Sequence, residues 1–301
     1  MPDTAADGNK RGARSARPAQ RRPLLAWLGV SPFFLFTLLF MFLPAGFLVV
    51  GSFLDQEGQP TLQNYADLTT PIVANAYANS IEISAITAIG GGLFGFLLAA
   101  SVILGGLPPF MRNALMTFSG VASNFAGVPL ALAFIYTLGN LGFLTAFINN
   151  TFATDIGQAG FSLYSKVGLE IVYMYFQFPL MVLIIAPALD GLKRDWREAA
   201  ENMGATGFQY WRYVAFPILL PSLMGAVILL FGNAFGAQAT AFQLTGGTIP
   251  IASIVIGAQI RGDVLHNTGL GFAMAMGMVV IMAMAITGYS LLQRRSERWL
   301  K

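Results

Sequence analysis

Residues 190–217 read DGLKRDWREAAENMGATGFQYWRYVAFP, a charged island between two apolar runs. No charge occurs from 171 to 189 on one side of it, nor from 213 to 260 on the other. The island has helical punctuation of its own. Asp195 with Glu198 three residues later fits a capping box, so a helix is expected from about Trp196 through Met203. Gly204 is placed to end it in a left-handed cap. Thr206 with Gln209 is a second capping-box pair, and a second short helix is expected to reach about Ala215. Pro217 then falls in the first turn of the next apolar helix, where a missing N–H costs little. Ala199 and Ala200 give the first helix a smooth side that another surface can approach closely, and Glu198 puts a fixed charge near its start. Such a pair of helices is either a docking surface or a connector lying on the membrane face.

Outward from the island, the charges mark where membrane helices cannot be. The chain has 301 residues, 55% hydrophobic and only 10% charged, against about 25% charged in soluble domains. Further charge-free runs cover 24–54, 83–111, 113–154 and 264–293. The apolar runs are continuous rather than alternating, which favours helices over a membrane barrel. With about 20 apolar residues needed per crossing, the expected spans are 24–51, 79–104, 113–138, 167–189, 218–243 and 270–292. Two remnants, LGFLTAFINNTFAT after Asn140 and LTGGTIPIASIVIGAQI from Leu244, are read as short external or re-entrant helices. The expected architecture is an all-α membrane protein of six transmembrane helices.

Six spans put Lys10, Arg11, Arg14, Arg17, Arg21, Arg22, Arg112, Lys193, Arg194, Arg197, Arg212, Arg294, Arg295, Arg298 and Lys301 on one side, and only Lys166 and Arg261 on the other. By the positive-inside rule the first side is cytoplasmic and holds both termini. Residues 1–22 read as a disordered basic tail near anionic lipid, and 23–301 as the membrane domain. The apolar run after the tail is too long for a signal-peptide core and lacks a cleavage pattern, so it reads as a retained first helix.

Several chemistries are excluded. There is no cysteine, hence no thiolate nucleophile or disulfide. There is no Gly-Lys pair, so no phosphate-binding loop of the GxxxxGK[ST] kind. The one histidine, His266, stands in an external loop and cannot build a metal cluster or a triad. Ser119 and Ser123 have no partner to activate them, which removes an intramembrane hydrolase. Gly232 and Gly236 permit close helix packing, within the chain or at a pathway or dimer surface. Glu82 and Glu170 lie near the outer starts of spans two and four, either facing a pathway or at headgroup level. Gln177, Asn233 and Gln238 lie deeper and either line a pathway or bond between helices. An ion-driven secondary transporter remains the alternative, but it would be expected to show paired intramembrane ionisable groups and an internal repeat.

Glu198-Ala199-Ala200, three residues, Gly204, nine residues, then Val214-Ala215-Phe216-Pro217 resembles the EAA loop of binding-protein-dependent ABC importer permeases. That pattern is EAA, three residues, Gly, nine residues, Ile-x-Leu-Pro; here Val and Phe replace Ile and Leu. Thr61-Leu62-Gln63-Asn64-Tyr65 is similar to the external segment after the first helix of these permeases. Asn79-Ser80-Ile81, with Gly95 and Ala99, is similar to the opening of their core domain. The resemblance implies the type I importer permease fold, with a core over about 75–292 and a cytoplasmic coupling loop over 190–217. It also implies two ATP-binding subunits that hold ATP and Mg, a second permease expected to be a different chain, and an extracytoplasmic solute-binding protein. The location implied is the bacterial inner membrane, with no nucleic acid among the partners and no cofactor or catalysis in this chain. Glu198, Ala199, Ala200, Gly204 and Pro217 would couple to the ATPase. The arrangement is most similar to permeases for polyamines, aminophosphonates, iron(III) and thiamine, and a polyamine-like solute is expected.

Overall fold

The computed structural model describes residues 23–152, 160–262 and 266–297. The basic tail over 1–22, and Arg298 and Lys301, lie outside the described residues. The described residues form helices joined by short loops, with one antiparallel bridge between Leu54 and Pro60. The elements are α1 (Pro23–Thr37), a π turn (Leu38–Phe42), α2 (Leu43–Gly51), α3 (Gln63–Ala66), a 3-10 turn (Asp67–Thr69), α4 (Pro71–Leu104), α5 (Pro109–Asn124), α6 (Val128–Leu138) and α7 (Phe143–Phe152). They continue with α8 (Lys166–Asp190), α9 (Arg194–Asn202), α10 (Gly207–Tyr210), a second π turn (Trp211–Ala215), α11 (Phe216–Phe235), α12 (Ala239–Thr245), α13 (Ala252–Arg261) and α14 (Thr268–Glu297).

The chain divides into two units after Phe47. In the first, α1 passes through its π turn into α2 without a break. Leu43, just before Pro44, donates its N–H to Leu38, five residues back. A helical proline offers no N–H and crowds the preceding turn, and widening that turn relieves both problems.

In the second unit α8 is the centre. Ser165 caps it by accepting from the Gly168 N–H (3.2 Å), and its inner faces bury Leu169, Val172, Phe176, Met181, Ile185 and Leu189. The helix α4 lies against it along Gly91 and Gly95, where a β-carbon would collide with Gln177 and with the Phe178 carbonyl. Without lipid-excluded hydrophobic drive, such small-residue contact is what holds spans together. The end carrying α9 is the loop end; the opposite one is the far end. One apolar cluster fills the far end around Leu130, Leu163, Leu169 and Leu244, and another fills the loop end around Phe96, Ile185, Leu189 and Leu219.

Six helical stretches are long and apolar enough to cross a membrane: Gly29–Gly51, Pro71–Leu104, Val128–Thr151, Lys166–Asp190, Gly207–Phe235 and Thr268–Gln293. Three refine the expected spans. The second starts at Pro71, because Thr70 and the proline begin the helix well before the apolar run does. The fifth, expected over 218–243, is interrupted at 236–238 and resumes as α12. For the third, composition favours Val128–Thr151, but packing favours α5 with α6. Arg112 of α5 pairs with Asp190 at the loop end of α8 (2.6 Å), and Tyr164 reaches Gly139, just beyond α6, at the far end. Together α5 and α6 therefore run the length of α8, interrupted at 125–127, while α7 is a short helix beyond them. The segment from Leu244 forms the end of α12 and then the ten-residue α13. This helix starts against α4, where Ser80 accepts the Ala252 N–H (2.8 Å) and Asn79 donates to Pro250 O (2.9 Å).

Candidate coupling loop and mid-span polar groups

The loop is one surface helix, a tight cap, and a forward extension of the fifth span. The helix α9 starts at Arg194, two residues earlier than expected, with Lys193 at the N-cap and no side-chain cap. The Asp195–Glu198 box is therefore not formed. Asp195 stands in the first turn, where its charge still meets the positive end of the helix. Arg197 and Glu201 pair across one turn (2.9 Å), both exposed. At the other end Gly204 has φ +80°. Its N–H donates to Glu201 O (2.9 Å), and that of Ala205 donates to Ala200 O (3.0 Å). This is the Schellman pattern, and it requires the left-handed glycine.

The second box is complete. The Gln209 N–H donates to Thr206 Oγ1 (3.3 Å), and the Thr206 N–H donates to Gln209 Oε1 (2.7 Å). The helix that starts there does not stop at Ala215. It runs through the π turn into α11, with Phe216 donating to Trp211 O. The turn widens just ahead of Pro217, as it does ahead of Pro44. Expected as a separate short helix, this segment is instead continuous with the fifth span.

The two alanines face different ways. Ala200 is 4% exposed and packs with Tyr210 and Ala215 in a small core of the loop, while Ala199 and Glu198 are exposed. Trp211 meets Phe96 of α4 edge-on at 6.3 Å. The loop is thus fixed both to its own span and to the second one.

The deeper candidates separate into two groups. At the far end Lys166 pairs with Glu82 (2.9 Å), both in contact with solvent, and Glu170 lies half-buried within reach of both charges. Midway along α8, Gln177 is fully buried and donates from Nε2 to Leu230 O of α11 (2.8 Å). Asn233 Nδ2 donates to Gln177 Oε1 at 3.4 Å. These two amides bond span four to span five, one of the two roles left open by the sequence. Gln238 stands at the interruption of the fifth span, with its amide against Gly257 of α13. Gly232 faces Met282 of α14, which makes it a packing residue within the chain. Among the described residues no three acidic or histidine side chains converge as a metal site.

A family model for the binding-protein-dependent transport system inner membrane component matches residues 91–298. The chain belongs to that family. This permease is 27% identical over 296 residues to the spermidine/putrescine transport system permease protein PotB of Haemophilus influenzae, covering 89% of this chain and 95% of the relative. It is 25% identical over 247 residues to a probable sulfate transport system permease protein cysT of Nephroselmis olivacea, covering 81% and 80%. In fold it is similar to a chain of a bacterial ABC transporter involved in import of the acidic polysaccharide alginate, at TM-score 0.70 and 16% identity, covering 91% of this chain and 96% of that one. It is a multi-pass permease subunit of an ABC importer, the non-catalytic kind of component.

Sequence reading missed the residues that close the two span interruptions of this permease. Thr240 accepts the Gly127 N–H (2.8 Å) and donates to Gly127 O (3.3 Å), and the Tyr173 hydroxyl donates to Ala237 O. The interruptions at 125–127 and 236–238 therefore meet at about mid-span. Gly127 has φ +74° and is followed two residues later by Pro129; that Gly-x-Pro pattern was the available signal.

Proposed function

We propose that this permease forms, with a second permease chain, the pathway of a type I importer for a solute delivered by an extracytoplasmic binding protein. Two ATP-binding subunits, which hold ATP and Mg, drive it through the loop. Glu198 and Ala199 offer the docking face, Ala200 and Gly204 hold α9 in place, and Pro217 marks where the drive enters the fifth span. The observation that carries this reading is the stiff joint. The helix α9 is locked by the Gly204 cap and the Ala200 contact to a helix that continues into α11. A push on α9 therefore moves the whole half-span rather than bending a linker, as rigid-body alternation requires. Loop and termini face the cytoplasm, a reading supported by the uneven distribution of Lys and Arg. The test is Glu198→Arg in the assembled transporter. Uptake and substrate-stimulated ATP hydrolysis should fall while permease abundance stays normal, and unchanged uptake would remove the docking role. Labelling of Gln209→Cys by an impermeant thiol reagent in intact cells would reverse the orientation.

For the solute, a polyamine-like cation is the reading favoured. PotB is similar over nearly its full length, and among the described residues no Lys or Arg stands within the spans away from their ends. Lys166 offsets Glu82, so Glu170 is the carboxylate left to attract a cation. Sulfate is the second reading, favoured by the cysT relative. Glu170→Gln, assayed with the cognate binding protein, should lower uptake of a polyamine. Uptake of sulfate by the parent would overturn the cation.

A further inference from the structure

A groove of about 930 Å³ opens at the loop end, where α4, α8 and α9 come together. Its floor is apolar, made by Leu97, Ile103, Leu104 and Trp211 among others. It leads onto an exposed apolar face of α4, where Leu93, Phe94 and Leu97 are 54%, 58% and 51% exposed. Its rim is charged and balanced: Lys193, Arg194 and Arg197 against Asp190, Glu198 and Glu201. Some of these charges are already satisfied. Asp190 pairs with Arg112, and Arg197 with Glu201. Lys193, Arg194 and Glu198 have no ion-pair partner among the described residues, although Arg194 and Glu198 stand four apart on one helix face, where opposite charges ordinarily meet. The indole N–H of Trp211, at the groove wall, has no hydrogen-bond acceptor among the described residues either.

We propose that the groove seats one phosphatidylethanolamine molecule. Its phosphate lies between Lys193 and Arg194, its primary ammonium meets Glu198, and an acyl chain runs down Leu97, Phe94 and Leu93. The unpaired Arg194, with the Lys193 ammonium beside it over the Trp196 ring (5.8 Å), and the unpaired Glu198 match a phosphodiester joined to an ammonium. An anionic head group alone would satisfy the cations and leave Glu198 facing negative charge. The level is right for a head group, since the Arg112–Asp190 pair marks the polar end of α8 and the apolar face of α4 descends from there. Tryptophan at such a level presents an apolar ring with one donor toward the head groups. The lipid would fill the space behind α9 and oppose its collapse toward α4. The site shares Glu198 with the docking face proposed for α9, but its test reads lipid on the permease alone rather than transport, so the two proposals fail separately.

The chain has no cysteine, and Ser101 lines the groove from an exposed position. Ser101→Cys in the full-length chain would be placed in nanodiscs of phosphatidylethanolamine, phosphatidylcholine or phosphatidylglycerol and labelled with a water-soluble maleimide. Phosphatidylethanolamine should slow labelling about tenfold relative to phosphatidylglycerol, the factor expected of one charge-assisted contact. Phosphatidylcholine, whose quaternary ammonium donates no hydrogen bond, should protect less. Adding Arg194→Glu, an exposed change that leaves the fold intact, should abolish the protection, and native mass spectrometry of that variant should show the loss of one retained lipid. Equal labelling in all three lipids would overturn the site, as would equal protection by phosphatidylglycerol or protection seen only with an ATP-binding subunit present.

Discussion

The loop over 191–216 and the paired interruptions at 125–127 and 236–238 solve the same problem in opposite ways. Both break helices, so both leave backbone groups that need partners. In the loop the partners are close in sequence: Thr206 and Gln209 cap each other three residues apart, and Gly204 and Ala205 return to Glu201 and Ala200. Water reaches most of these groups. At mid-span the partners come from far away. Thr240 serves Gly127 across 113 residues, and Gln177 serves Leu230 across 53. Nothing there replaces a lost partner, because an unpaired group in hydrocarbon has no water to turn to. The loop is thus a local structure attached to the bundle, while the interruptions exist only because the bundle is assembled.

Four substitutions test that contrast, from the largest expected effect downward. Thr240→Val keeps the shape but strands the Gly127 N–H, while the Gly127 carbonyl still accepts from Ala131. It should cost about 1–3 kcal/mol, read as a lower Tm of the detergent-solubilised permease. Gly204→Val forces a branched side chain into the left-handed region at a cost of about 1–2 kcal/mol. That cost should stay within the loop: Tm falls less than for Thr240→Val, yet uptake by the assembled transporter is lost. Thr206→Ala removes one cap and should cost about 1 kcal/mol, with Gln209 amide exchange accelerated and the spans unaffected. Arg197→Ala breaks an exposed pair worth about 0.3–0.5 kcal/mol and should leave Tm unchanged within error. If Thr206→Ala lowers Tm as much as Thr240→Val, the loop is not the separable structure described above.

The same contrast decides what could be read in advance. Span ends were legible because charge is excluded from hydrocarbon, so Asp190 and Lys166 marked the fourth helix to within a residue. The cap at Gly204 and the box at Thr206 were legible because spacing alone defines them. Asp195–Glu198 had the same spacing and misled, since an exposed helix start can leave its N–H groups to water and begin at Arg194, with Lys193 as its N-cap, instead. The interruptions had no charge to mark them, and Thr240 is an ordinary threonine until Gly127 is placed beside it. Glu82 looked like a lone carboxylate because Lys166 is 84 residues away. Pairings of that kind belong to the packing, not to any local pattern.

The π turn at Trp211–Ala215 has a further consequence, one of phase. A π turn holds one residue more than an α turn, and each residue of an α-helix advances the chain by about 100°. Deleting one residue between Trp211 and Ala215 would restore an ordinary turn and barely shorten the helix. It would leave everything before it, α10 and α9 included, at nearly the same bearing around the axis of the fifth span, because the wide turn already absorbs the extra residue. The wide turn is thus the one place in this helix where a residue can be lost without changing the compass heading of Glu198 and Ala199, whereas the same deletion in the ordinary turns of α11 would swing them by roughly 100°.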